Sequence, residues 1–222
     1  MREIDNSDTS TEESPTDYST SFTQFVYDMI PPNTRCLDVG CSTGNLGVAL
    51  RDSKGCSVDG IESNPQAAAI AKRRGYDNVF ILDLNFELAT LPVNGYEYDV
   101  IVCADILEHL VTPEQALKRL SRLLRPGGVF VISLPNVAFA LHRLHLLLGK
   151  WDYKAYGVLD RTHLRFYTIK SGSQMIASTG LKITSVKPYN QFGVLRYLRP
   201  LDRWFPSLFA YQFIVVADKV VN

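Results

Sequence analysis

From residue 22 onward the chain alternates between two kinds of apolar pattern, and this alternation limits what it can fold into more than any other feature. Short continuous apolar runs stand at Arg35–Val39, Ser57–Ile61, Val79–Leu82, Tyr98–Cys103 and Val129–Leu134. Such runs suit strands covered on both faces of a parallel sheet, where neither side has to meet water. Between them lie stretches with helical spacing, at Asn45–Asp52, Pro65–Arg74, Ile106–Leu110 and Pro113–Leu124, the last closed by Pro126-Gly127-Gly128. A shorter helix carrying Phe22, Phe25, Val26, Met29 and Ile30 precedes the first strand and stops at Pro31-Pro32. Strand and helix repeated in this way predict right-handed crossover units and a single α/β, Rossmann-like doubly wound sheet. Two later runs, Lys182–Lys187 and Tyr211–Ala217, have no capped helix between them and are expected to complete the sheet as a hairpin-like pair.

The length of 222 residues suits one domain. Residues 1–20 are rich in Asp, Glu, Ser and Thr and nearly free of large apolar groups, so they read as a flexible tail ahead of a domain over 21–222. Lysine plus arginine equals aspartate plus glutamate at 23 each, which gives no general field for a polyanion, and nucleic acid is not expected as a partner. Cysteines 36, 41, 56 and 103 form no CxxC pair and read as reduced, apolar residues. With no basic start followed by an apolar stretch, and no apolar run of ~18 residues, a soluble cytoplasmic protein without a transmembrane segment is expected.

In such sheets ligands bind beyond the carboxyl ends of the strands. The first strand runs into Asp38-Val39-Gly40-Cys41-Ser42-Thr43-Gly44-Asn45. A dinucleotide fingerprint needs glycine at 42 and 45, where serine and asparagine stand, and a phosphate loop needs a lysine that is missing. An acid ahead of a tight turn suits a cationic ligand without phosphate, and S-adenosylmethionine is such a ligand. The next strand ends repeat the signal. Glu62 closes the second, where a carboxylate accepts from ribose hydroxyls; Asp83, between Leu82 and Leu84, closes the third, where an adenine amino group would sit; Asp105 closes the fourth, at the mouth facing the methyl group.

The stretches LDVGCSTG (37–44), DGIESN (59–64), ILDLN (81–85), YDVIVCADILEHL (98–110) and LRPGGVFVISLPN (124–136) resemble the class I S-adenosylmethionine-dependent methyltransferases, of the methyltransferase domain 23 type. The resemblance implies seven strands in the order 3-2-1-4-5-7-6 with the last antiparallel. It implies Asp38 and Gly40 by the methionine moiety, Glu62 on the ribose and Asp83 near the adenine, with Cys41, Gly44, Ser63, Leu84, Ala104 and Asp105 completing the cofactor-binding set. Ser42 departs from the usual middle glycine. The implied reaction is methyl transfer to an oxygen or nitrogen of a small-molecule acceptor, a sugar or an aromatic compound; the alternative is a cofactor-binding protein or partner subunit without catalysis. A homodimer is compatible with either.

Methyl transfer chiefly requires alignment, and for some acceptors a base. Asp105, Glu108 and His109 fall at i, i+3 and i+4 and would share a helical face near the cofactor. Glu108 and His109 either brace that helix, or His109 or Asp105 serves as base; His163 is the further catalytic candidate. No metal is expected, although Asp105, Glu108, His109 and His163 form the alternative of a mixed oxygen and nitrogen set, similar to the metal site of small-RNA 2′-O-methyltransferases. Residues 136–170 interrupt the alternation with an amphipathic helix (Leu141, Leu144 and Leu148 against His142, Arg143 and His145) and with Trp151, Tyr153, Tyr156, Phe166 and Tyr167. This insertion reads as an acceptor-binding lid or as a helical cover completing the core. Residues 191–209, with Arg196, Arg199 and Arg203 among aromatics, read as sheet-edge cover, a dimer face or a weak membrane-surface contact.

Overall fold

A computed structural model describes residues 23–91, 97–190 and 204–220. The tail over 1–20, Phe22 and the portion 191–203 of the arginine-containing stretch lie outside the described residues. Seven strands form one sheet: β1 Arg35–Val39, β2 Ser57–Glu62, β3 Asn78–Ile81, β4 Tyr98–Ala104, β5 Leu124–Pro135, β6 Leu181–Tyr189 and β7 Gln212–Lys219. Their order is β3-β2-β1-β4-β5-β7-β6, with β7 antiparallel to both neighbours and β1 through β5 parallel. Both the predicted order and the terminal hairpin-like pair are borne out. Strand order reverses between β1 and β4, which places the ligand crevice over their carboxyl ends.

Helical residues 23–28 (α1) come first. They are followed by α2 Asn45–Lys54, α3 Pro65–Arg73, α4 Pro113–Leu120, α5 Ala140–Leu147, α6 Ile169–Ser178 and the single turn α7 Pro206–Phe209. Local chemistry sets their starts. The side chain of Asn64 accepts from the backbone of Gln66 and Ala67, with Pro65 in the first turn of α3, and Thr168 with Ser171 forms a capping box on α6. Among the described residues no helix is long and apolar enough to cross a membrane.

Alternate residues of β1 divide between the two faces of the sheet. Leu37 and Val39 pack with Ile101, Leu117, Phe130 and Phe213, whereas Cys36 packs with Leu50, Val58, Val100 and Ile214. Each such fully buried aliphatic side chain contributes about 1.5–3 kcal/mol of transfer free energy. The four cysteines are all buried and free, as expected.

Two regions differ from expectation by more than a residue or two at an element's end. The Pro113–Leu124 helix ends at Leu120, continues as a 3-10 turn over Ser121–Leu123, and β5 begins at Leu124. Pairing of Leu124 with Tyr98 carries the strand through Pro126-Gly127-Gly128, which local propensity alone marks as a break. The expected Ile106–Leu110 helix is a 3-10 turn over Leu107–His109, with consequences for the site.

Candidate active site

The loop after β1 is held from beneath and from the side. Gly40, Ser42 and Gly44 all take left-handed backbone, at φ 77, 49 and 86°. The serine in place of the usual middle glycine therefore keeps glycine-like geometry, at a strain of order 1 kcal/mol for an L-residue. Its N–H donates to Glu62 Oε2 at 2.8 Å, which helps hold it there. Glu62 Oε1 accepts from the N–H of Asn64 at 2.8 Å, so one half-exposed carboxylate ties the β1 and β2 turns together and presents its remaining lone pairs at the rim. Ser63 is exposed beside it. Asp38 is buried and its Oδ2 accepts from the Tyr76 hydroxyl at 2.7 Å. Burial raises its carboxyl to about 6, against the pull of that hydrogen bond, with the Glu62 charge adding to the rise.

At the β3 end, Asp83 is half-buried between the buried Leu82 and Leu84, its Oδ1 accepting from the N–H of Asn85 at 2.8 Å. Asn85 in turn reaches the β4 side, donating to the His109 carbonyl at 3.2 Å and accepting from Val111 N–H at 2.8 Å. The cofactor candidates Asp38, Gly40, Cys41, Gly44, Glu62, Ser63, Asp83, Leu84, Ala104 and Asp105 thus all lie on the turns and strand ends of β1 through β4.

The catalytic candidates are arranged differently from the predicted helical face. Asp105 has φ 50° and turns toward the sheet. Its Oδ1 accepts from Ser133 Oγ at 2.8 Å, its Oδ2 from Gln212 Nε2 at 2.8 Å, and its own N–H donates to Ser133 Oγ at 2.9 Å. The 3-10 turn after it sends Glu108 inward, 1% exposed, toward His109 and His163. One ligand atom from each of Glu108, His109 and His163 lies within 4.8 Å of the others, and Asp105 is not part of that group. The four-residue set therefore reduces to three, because Ser133 and Gln212 hold Asp105 elsewhere.

Distant backbone joins this trio. The carbonyl of Glu108 accepts from the N–H groups of Leu164 and Arg165 at 2.8 and 3.1 Å, which docks the His163 loop on the β4 turn. His163 Nδ1 faces the Val158 carbonyl at 3.1 Å and His109 Nδ1 the Thr162 carbonyl at 3.2 Å. A carbonyl can only accept, so in its neutral form each ring donates from Nδ1 and leaves the Nε2 lone pair available; the Thr162 hydroxyl, 3.3 Å from His109 Nδ1, donates to Asp160 instead. His163 Nε2 stands 3.9 Å from Glu108 Oε1, and neither carboxylate oxygen of Glu108 has a hydrogen-bond partner. Two acceptors facing each other in a buried space require a proton or a cation between them. Burial, aided by the Asp105 charge, drives the Glu108 carboxyl well above its ordinary range, and burial lowers His163.

Sequence reading missed Ser133, Gln212 and Tyr76, whose roles arise only when distant strands meet. It also inverted α5. Leu141, Leu144 and Leu148 are 46%, 50% and 62% exposed, no residue of the helix is buried, and both ring nitrogens of His142 are enclosed beside Phe139 and Tyr211. Burial lowers His142 to about 4. Trp151 and Tyr153 pack around Phe166, which itself lies beside His163.

A seven-stranded sheet in this order, with carboxylates at the ends of successive parallel strands and none of the phosphate-binding signatures, defines the class I S-adenosylmethionine-dependent methyltransferase fold. The chain belongs to methyltransferase domain family 23, whose profile matches residues 13–186. A ubiquinone biosynthesis O-methyltransferase of Marinobacter nauticus is 35% identical over 108 residues, covering 46% of this chain and 44% of the relative. Another of the same name, from Azoarcus sp., is 26% identical over 159 residues, covering 66% and 67%. The match thus spans less than half of the first relative and about two thirds of the second. A solved S-adenosylmethionine-dependent methyltransferase of Archaeoglobus fulgidus superposes with a TM-score of 0.62 at 17% identity over 93% of this chain and 95% of that one, a likeness of fold.

Proposed function

We propose that this chain transfers the methyl group of S-adenosylmethionine to an oxygen of a small-molecule acceptor that enters beside Glu108, His109 and His163. The observation that carries this reading is the Glu108 carboxylate, buried, unpartnered and facing two imidazoles with free Nε2 atoms. Keeping such a group buried without a partner destabilises the fold by several kcal/mol, which a ligand offsets. In the cofactor half, Glu62 receives the ribose hydroxyls, Asp83 and Leu84 the adenine, and Asp38 with Gly40 the methionine end. Displacement at a sulfonium needs little covalent assistance; the chain aligns the acceptor and accepts its proton. His163, held neutral by burial, and His109 are the groups able to accept it. The aromatic wall of Trp151, Tyr153 and Phe166, within the 136–170 insertion, suits a flat acceptor. The names of the two relatives favour oxygen over nitrogen.

The same orphaned carboxylate favours a second element of this reading, a divalent cation on Glu108, His109 and His163. One carboxylate and two imidazoles with free Nε2 atoms and backbone-anchored Nδ1 atoms fit such an ion. When bound it would neutralise Glu108 and lower the pKa of an adjacent acceptor hydroxyl. The test is incubation with S-adenosylmethionine and a panel of hydroxylated aromatic and sugar acceptors, with mass-spectrometric detection of methylated product, in EDTA and with added magnesium, manganese or zinc. Product in EDTA and metal alike leaves the imidazoles as bases, and product only with metal supports the ion. Cofactor bound without product from any acceptor would point to the non-catalytic alternative.

A further inference from the structure

The stretch Arg74-Gly75-Tyr76 belongs to no ligand motif, yet it reaches the cofactor loop at four points. We propose that Tyr76, seconded by Arg74, is a positioning residue for the cofactor: from the turn between α3 and β3 it fixes the shape of loop 40–47 and the orientation of Asp38. This rests on the cofactor reading above.

Tyr76 is 3% exposed. Its hydroxyl donates to Asp38 Oδ2 at 2.7 Å and accepts from the N–H of Gly47 at 2.9 Å, linking the acid of the loop to the first turn of α2 through a single atom. The ring fills the space that three glycines leave open. A Cβ at Gly44 would lie 2.7 Å from its Cε2, one at Gly47 would run into its Cζ, and one at Gly60 would meet Cys41 Sγ at 2.7 Å and the ring's Cδ1 at 3.0 Å. At Gly47 the absence of a side chain serves the tyrosine alone, at Gly44 it also serves the left-handed turn, and at Gly60 it makes room for Cys41 as well. Arg74 Nη1 donates to the Thr43 carbonyl at 2.9 Å and to Asn45 Oδ1 at 2.6 Å, gripping the outer side of the same loop. Arg51 Nη1 of α2 donates to the Arg74 carbonyl at 2.7 Å across Gly75, where a Cβ would meet the guanidinium, so the bracing turn is itself fixed to α2. A site on a loop keeps its geometry only when side chains behind it are locked in this way.

Among the described residues, the groups that act on Asp38 are the Tyr76 hydroxyl and the Glu62 carboxylate, and its charge is felt in turn by Cys36, Cys41 and Cys103. None is a cation. The ammonium of the bound cofactor would supply the missing positive charge, and the Tyr76 hydroxyl is the neutral donor that keeps the carboxylate aimed and ionised until then.

Tyr76→Phe retains the ring and removes this hydroxyl. Calorimetric titration of the full chain with S-adenosylhomocysteine is expected to give about tenfold weaker binding at neutral pH. The fall-off on acidification should begin at higher pH than in wild type, because Asp38 has lost a donor. In turnover, the KM for S-adenosylmethionine should rise while kcat and the acceptor KM hold. Wild-type affinity with a wild-type pH profile would overturn the proposal. Arg74→Ala, at an exposed side chain, is expected to weaken binding about threefold; it decides the matter if the phenylalanine variant does not fold, and unchanged binding in it then overturns the proposal. Absence of binding by the wild-type chain would instead overturn the cofactor reading, and the proposal with it.

Discussion

The two halves of the rim are built on opposite principles. On the β1–β3 side the polar groups have partners within the protein: Asp38 has Tyr76, Glu62 has Ser42 and Asn64, and Asp83 has Asn85. On the β4–β5–β7 side Asp105 is held by Ser133 and Gln212, but neither oxygen of Glu108 beside it has a hydrogen-bond partner, and the Oε1 of Gln212 and the hydroxyl of Tyr167 are likewise buried without one. A pre-organised half suits a ligand that is always the same, since its site must only be kept in shape. An unsatisfied half suits the chemistry, where the missing partner is the acceptor, a proton or an ion.

The largest effect that would break this comparison lies at the unsatisfied half. His163→Ala is expected to lower turnover by about a thousandfold, within the range for loss of a base or ligand. Its S-adenosylhomocysteine affinity should stay at the wild-type value, because no group of the cofactor half touches it. Equal losses in both measurements would show that the halves are not separate. Glu108→Gln sharpens the same point in the opposite sense: it should abolish turnover yet raise the melting temperature at neutral pH, because an amide needs no proton to be buried there, whereas the raised carboxyl must take one up on folding.

The next effect, smaller, concerns Asp38. A carboxyl raised from 3.8 to about 6 by folding contributes stability that is fully present below pH 3.8 and lost as pH rises through 6. That interval corresponds to about 3 kcal/mol. Asp38→Asn keeps an oxygen for the Tyr76 hydroxyl and removes the titration. Its stability relative to wild type, from urea melts without cofactor, should therefore improve by about that amount between pH 4 and pH 7.5. A pH-independent difference would mean that Asp38 is already ionised without strain, and that the cofactor half holds no unmet charge.

How far the sequence foretold each half follows the same division. Asp38, Gly40, Glu62 and Asp83 were legible because each stands at the end of a strand whose apolar run is local. The trio at Glu108 is half legible: its members stand among the residues the sequence singles out and the fold brings them together, but the sequence groups Asp105 with them. That grouping assumed a helix, whereas the turn is 3-10 and Asp105 faces Ser133 and Gln212, residues far along the chain whose approach depends on β7 inserting between β5 and β6. Tyr76 was invisible for the same reason, since nothing local says that three glycines surround one ring. In α5 the leucines followed a helical period correctly, but periodicity does not say which face finds a partner, and His142 is the residue whose ring nitrogens are enclosed.

Glu62 offers a smaller test of the satisfied half. In Glu62→Gln one oxygen is replaced by an NH2 group that meets a backbone N–H, either that of Ser42 or that of Asn64, and one of the acceptors proposed for the ribose is lost. About 30-fold weaker S-adenosylhomocysteine binding is expected, near 2 kcal/mol, with kcat at saturating cofactor within about twofold. A fall in kcat as large as that of the histidine variant would mean that the β1–β2 tie also aligns the methyl group.

The smallest effect is expected at Leu147, which is 83% exposed on α5. If this helix were a cover completing the core, Leu147→Ser would lose a share of buried transfer free energy and lower the unfolding midpoint in urea. As an exposed residue on a helix that buries none of its side chains, it should instead change stability by less than about 0.5 kcal/mol. Any effect would then appear in the acceptor KM, with cofactor affinity unchanged, because the insertion that carries α5 also carries His163 and the aromatic residues around Phe166. A clear loss of stability would place α5 with the scaffold and leave the aromatic residues around Phe166 as the acceptor-facing part of the insertion.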